Sequence, residues 1–193
     1  MNVYDFTVTA QDGSQVALKD YAGKVLLIVN TATACGFTPQ YAPMQEIYDE
    51  FHEKGLEILD FPCNQFGNQA PGEDEEIHSF CQGRFGITFP QFSKIDVNGD
   101  DAIPLYKYLT TATTFEGFGH SPMALAMAGI AKKMDKDYKN NGIQLTHVSH
   151  WYPSNCVGRG SSVPAQGLTG RKLGPRANGG TSQVLAICRA GQL

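Results

Sequence analysis

Nowhere in the 193 residues does an apolar run reach the roughly 18 positions needed to cross a bilayer, so a helical membrane span is excluded. The opening stretch, MNVYDFTVTAQDGS, lacks a basic segment followed by an apolar core. Neither secretion nor organelle import is signalled, and the cytoplasm is the default expectation. No two cysteines form a CxxC pair, and the five present (Cys35, Cys63, Cys81, Cys156 and Cys188) are odd in number. That pattern speaks against a structural disulfide framework, a zinc knuckle and a dithiol reductase, leaving redox, metal or core roles. Excess positive charge is also missing: 15 Lys and Arg face 19 Asp and Glu, for a net charge of -4, which argues against a nucleic-acid surface. Acidic residues vanish after position 141. Residues 1–141 carry a net charge of -9, whereas 142–193 carry +5 together with nine Gly, three Pro and five Ser. The two parts differ in style, and 142–193 has too few apolar residues for a core of its own.

What is present reads as one α/β domain. Val3–Val8 alternates and, with the turn Gln11-Asp12-Gly13-Ser14 and Val16–Leu18, predicts a small hairpin. The runs Val25–Thr31 and Leu56–Phe61 are short, apolar and branched, as buried strands are. Between them, Pro39 to Phe51 places Tyr41, Met44, Ile47, Tyr48 and Phe51 at helical spacing, with Gly55 beyond the end. Strand, helix, strand within about 40 residues makes a right-handed βαβ unit. The acids 73–76 open a helix over 73–82, 88–95 is extended around Pro90, Asp96–Asp101 is a turn and Pro104–Leu109 a short helix. A loop over 112–121 and a helix over 122–138 follow, its Met123, Met127 and Met134 read as packing residues. Val184–Cys188 is a short strand able to pair with an open sheet edge but not to replace a hairpin and helix.

Three cysteines lie where chemistry is expected. Cys35 follows the first buried strand and precedes the helix, where backbone N–H groups and the helix dipole favour a thiolate. Ligand sites in open α/β sheets also lie beyond strand C-termini. Cys63 ends the second strand, and the polar loop after it should stand near Cys35, making Asn64, Gln65 and Gln69 candidate donors to a charged sulfur or leaving oxygen. Cys63 is equally readable as a small core residue. Cys81, beside Phe80 and Phe85, is either a half-buried packing residue or a second thiol that closes a disulfide with Cys35.

The segments Asn30–Tyr41 (NTATACGFTPQY), Phe61–Gln69 (FPCNQFGNQ), Phe89–Phe92 (FPQF) and Lys94–Gly99 (KIDVNG) resemble the diagnostic segments of the glutathione peroxidase family in its cysteine-containing form. The likeness covers about residues 2–141. It implies a thioredoxin-like fold, with a central mixed sheet and flanking helices, and thiol-dependent reduction of hydrogen peroxide and organic hydroperoxides. By the same resemblance Cys35 takes the peroxidatic position, Gln69 the place of the assisting glutamine, and Cys81 the place of the resolving cysteine in thioredoxin-dependent members. Cys63 is not the resolving thiol in such proteins. Thioredoxin is the expected reductant, because arginines that favour glutathione in other members have no obvious counterparts. The chain is expected to act as a monomer without cofactor or metal.

The resemblance stops after Lys139-Asn140-Asn141. There the family continues through a Trp-Asn-Phe segment, whose Trp and Asn complete the catalytic tetrad, into a closing hairpin and helix. Here the chain reads Gly142-Ile143-Gln144-Leu145-Thr146-His147. The change points to a changed reading frame or a replaced C-terminus, expected to be poorly ordered over 142–193. It leaves an alternative in which the protein senses peroxide or acts as a redox interaction partner with impaired turnover. His147, His150 and Cys156 offer only three ligands in a Gly-rich setting, so zinc is not expected.

Overall fold

The computed structural model describes residues 1–112, positions 125, 128, 129 and 132, and residues 186–188. Strands β1 (Thr7–Thr9) and β2 (Gln15–Ala17) form the expected antiparallel hairpin. Its lead-in is not extended, however: Val3–Asp5 is a turn of 3-10 helix, closed by Asn2 and Asp5 through a reciprocal capping box. The sequence signal for this turn, a capping residue with an acid three positions on, competes with the apparent alternation of Val3–Val8 and wins.

The central sheet has the order β4-β3-β5. Strands β3 (Val25–Thr31) and β4 (Leu56–Pro62) run parallel, in register from Val25 opposite Leu56 to Thr31 opposite Pro62. Between them, helix α1 (Tyr41–Phe51) makes the crossover. Strand β5 (Ala186–Cys188) lies antiparallel on the other edge of β3, with Ile187 opposite Leu27. The sheet is therefore mixed, as expected, and the VLAIC run places three of its residues on the sheet edge. The loop 113–121, most of the 122–138 helix and the rest of 142–193 lie outside the described residues.

Strand period decides the layers. Val25, Leu27 and Val29 of β3 and Leu56 and Ile58 of β4 face α1 and helix α2 (Asp74–Phe85), packing with Tyr41, Met44, Ile47, Phe51, Ile77 and Cys81. Leu26, Ile28, Leu59 and Phe61 face the other way, onto Val8, Phe92 and helix α3 (Pro104–Ala112) through Leu105, Tyr106 and Leu109. Two apolar layers sandwich a sheet whose strands are buried on both faces, which is why β3 reads as a near-continuous apolar run and β4 as an apolar run interrupted by Glu57 and Asp60.

Helix boundaries differ from the sequence reading for local reasons. Thr38–Gln40 is a 3-10 turn, and α1 starts at Tyr41, with Pro43 in its first turn where no N–H is required. Helix α2 continues three residues past 82, because Gly83 keeps helical geometry and the left-handed stop comes at Gly86, φ +64°. Helix α3 likewise runs past Leu109 to Ala112.

Candidate active site

Cys35 stands in the turn that leaves β3, half-buried. Thr38 organises this turn: its Oγ1 donates to the Ala32 carbonyl at 2.8 Å and accepts the Cys35 N–H at 2.9 Å. The Phe37 N–H points at Cys35 Sγ at 3.5 Å. Because α1 begins six residues after Cys35, the donor behind the sulfur is this turn amide, not the first turn of an α-helix. A fixed backbone donor of this type stabilises charge that develops at the reacting atoms without having to reorganise.

The loop after β4 is laced to the Cys35 turn at both ends. Cys63 N–H donates to the Thr31 carbonyl at 3.0 Å, and Ala34 N–H donates to the Gln69 carbonyl at 2.8 Å. Gly67 and Asn68 take left-handed φ of +66° and +55°, folding the loop back so that half-buried Gln69 arrives beside residue 34. Asn64 and Gln65, expected as donors to the sulfur, are used otherwise. Asn64 Oδ1 accepts the Ala70 N–H at 2.9 Å. Gln65 Oε1 accepts the N–H groups of Val97 and Asn98 at 2.8 and 3.0 Å, while its Nε2 donates to the Asn98 carbonyl. These two side chains shape the loop, and of the three loop amides only Gln69 belongs to the stretch bonded to the Cys35 turn.

Cys81 is not with them. It is fully buried on the inner face of α2, a free thiol facing the Tyr41 hydroxyl and the Gln91 amide, and burial pushes its pKa up. The same two side chains hold Asp60, a carboxylate with no solvent exposure. Asp60 accepts from Thr31 Oγ1 at 2.6 Å, Gln91 Nε2 at 2.8 Å and the Tyr41 hydroxyl at 3.0 Å. Burial raises its pKa to about 6, against these three donors, which act to lower it. His78 of α2 closes the chain of contacts, its Nδ1 2.9 Å from Gln91 Oε1. Sequence reasoning missed this network. A signal was available: Asp60 continues the Leu56, Ile58 row of β4 beneath the helices, and an acid in such a row must find buried partners.

Cys63 is buried in the opposite layer, its thiol 3.8 Å from Gln65 Oε1 and its pKa raised by burial, in accord with the core reading. Among the described residues no group of three metal-ligating side chains occurs, and no helix is long and apolar enough to cross a membrane. His147, His150 and Cys156 lie outside them.

The profile described as glutathione peroxidase matches residues 3–110. The hydroperoxy fatty acid reductase gpx1 of Synechocystis is 57% identical over 111 residues, which are 58% of this chain and 66% of that protein. A glutathione peroxidase homolog of Neisseria meningitidis serogroup C is 46% identical over 138 residues, 70% of this chain and 78% of its own length. The crystal structure of T. cruzi GPX1 aligns at 36% identity and a TM-score of 0.48, covering 59% of this chain and 68% of that one. The matched part thus spans about two thirds of the first of these relatives.

Proposed function

Since the chain belongs to the glutathione peroxidase family, we propose that it is a thiol peroxidase that reduces hydrogen peroxide and organic hydroperoxides through Cys35. One observation carries the reading: the half-exposed Cys35 sulfur sits in a turn built by Thr38, against a loop pinned to it through Ala34 and Gln69. The thiolate attacks the distal peroxide oxygen, the O–O bond breaks, and the alkoxide or hydroxide leaves as alcohol or water after taking a proton. Cys35 becomes a sulfenic acid. Gln69 orients peroxide or sulfur as a hydrogen-bonding group, since its amide does not titrate.

Cys81 thiol then condenses with the sulfenic acid, releasing water and leaving a Cys35–Cys81 disulfide, which a dithiol of the thioredoxin type reduces by exchange. In the reduced protein Cys81 is enclosed between α2, Tyr41 and Gln91, so condensation requires the C-terminal part of α2 to unwind. The N-terminal part is better anchored, by the Glu73–Glu76 capping box and by Lys94 N–H donating to Asp74 at 2.7 Å. Cytoplasmic thioredoxin is the reductant of choice in this reading, and glutathione the weaker one. Thioredoxin-coupled peroxide turnover should be abolished by Cys35→Ser; equal rates in the two proteins would reject the assignment.

A slower variant of the same chemistry, in which Cys35 oxidises as a peroxide sensor, is favoured by one feature: after position 141 the sequence has no Trp-Asn-Phe segment. Stoichiometric Cys35 oxidation without appreciable turnover would select that reading.

A further inference from the structure

Two of the five residues around the Asp60 carboxylate and its partners come from one turn of α2. His78 contacts Gln91, and Cys81, three positions on, faces both Gln91 and Tyr41. Gln91 and Tyr41 in turn each reach Asp60 Oδ2, at 2.8 and 3.0 Å, and Thr31 takes the other oxygen. Phe85 of α2 also stacks on the Tyr41 ring, with centroids 5.5 Å apart. Cys81 therefore cannot leave without stripping cover from the side chains that solvate Asp60. Any motion that frees the thiol opens to solvent a carboxylate that is fully buried in the closed state.

We propose that Asp60 is a positioning residue for the resolving step: protonated, it keeps Cys81 in its buried site, and ionised, it favours the opening of α2 that delivers Cys81 to Cys35. The inference rests on the peroxidase reading given above. Its physical basis is linkage, because an acid that is harder to ionise in the closed state than in the open one pushes the equilibrium toward opening as it ionises. The closed-state pKa of about 6, against an ordinary 3.8 once solvated, sets an upper limit of about 100-fold on the shift toward the open state. The sign follows directly. Opening gains nothing below the ordinary value, grows as pH rises between the two, and is fully favoured above about 6.

Other titratable groups facing this carboxylate do not supply the same step. Tyr41 of α1 and Tyr106 of α3 are held neutral by burial, and burial likewise keeps Cys81 a thiol over this range. His78 touches Gln91 and not Asp60, and must be separated by experiment.

The test is a two-stage oxidation of the full chain across about pH 4.5 to 7.5. Cys35 sulfenic acid is measured by trapping, and the Cys35–Cys81 disulfide by quenched peptide mapping. In the wild type, disulfide formation should rise by one to two orders of magnitude with a midpoint near pH 6. Asp60→Asn should flatten that rise and stay slow near neutrality while sulfenic acid forms at the wild-type rate; His78→Asn should keep the rise. A rise that survives Asp60→Asn, or that disappears with His78, overturns the proposal. A measurement without substitution guards against misfolding: carbon-13 titration of the Asp60 carboxyl should give a midpoint near 6 in the reduced protein and a lower one in the disulfide form. Equal midpoints overturn the proposal. Absence of both Cys35 sulfenic acid and the Cys35–Cys81 disulfide in the peroxide-treated wild type would instead refute the peroxidase reading, and this inference with it.

Discussion

Replacing Asp60 by Asn should make the protein's stability more sensitive to acid, because it removes a contribution that strengthens as pH falls, opposite in sign to ordinary acid denaturation. Asp60 has no solvent exposure and a folded-state pKa of about 6, whereas an unfolded aspartate titrates near 3.8. Because the folded value is the higher one, the folded state holds the proton more tightly. The resulting stabilisation is complete below the unfolded value and is lost as pH rises through the folded value. A separation of about two units corresponds to about 3 kcal/mol, of which about 2 kcal/mol is lost between about pH 4 and 7.5. Asparagine carries no proton to lose, so the wild type minus Asp60→Asn difference should fall by that amount over this interval, whatever the other carboxylates do. Urea denaturation under reducing conditions, with both proteins at each pH, measures it directly. A difference independent of pH, or one that grows toward neutrality, would refute the reasoning.

Four single-site substitutions have further expected outcomes. Cys81→Ser should allow Cys35 to form a stable sulfenic acid but no intramolecular disulfide by intact-mass analysis, and Cys63→Ser, in the opposite core layer, should alter neither step. Phe61→Ala removes a fully buried ring stacked on Phe92 at 4.6 Å and edge-on to Tyr106 at 5.8 Å, and should lower the urea-derived stability by about 3–5 kcal/mol. Thr38→Val deletes the hydroxyl that joins the Ala32 carbonyl to the Cys35 N–H; about 1–2 kcal/mol should be lost in the same assay, and Cys35 sulfenylation should slow more than the resolving step does.

Sequence pattern alone was sufficient for elements whose signal is local. The apolar runs of β3 and β4 gave their bounds to within a residue, because a strand buried on both faces has no polar side to confuse the reading. Helix α1 was visible in the spacing of Met44, Ile47, Tyr48 and Phe51. Element ends were harder to read. Gly83 and Gly86 look alike as letters, and only the backbone distinguishes a glycine kept helical from one at φ +64°. Motif resemblance similarly singled out Cys35, Gln69 and Cys81, but not which of them are neighbours.

Neighbourhood was decided by tertiary structure. The Gln69 carbonyl meets the Ala34 N–H only because parallel strands end side by side, and Asn64 and Gln65 are diverted to Ala70, Val97 and Asn98 by the same loop geometry. The setting of Asp60 is the strongest case. Its partners come from positions 31, 41 and 91, on a strand, a helix and an extended segment, and two of them also face the thiol at position 81. Hydrophobic periodicity determines which side of a strand is buried. Which polar groups meet there, and whether a buried carboxylate is solvated well enough to keep its charge, depends on desolvation and hydrogen bonding that exist only once distant segments have packed.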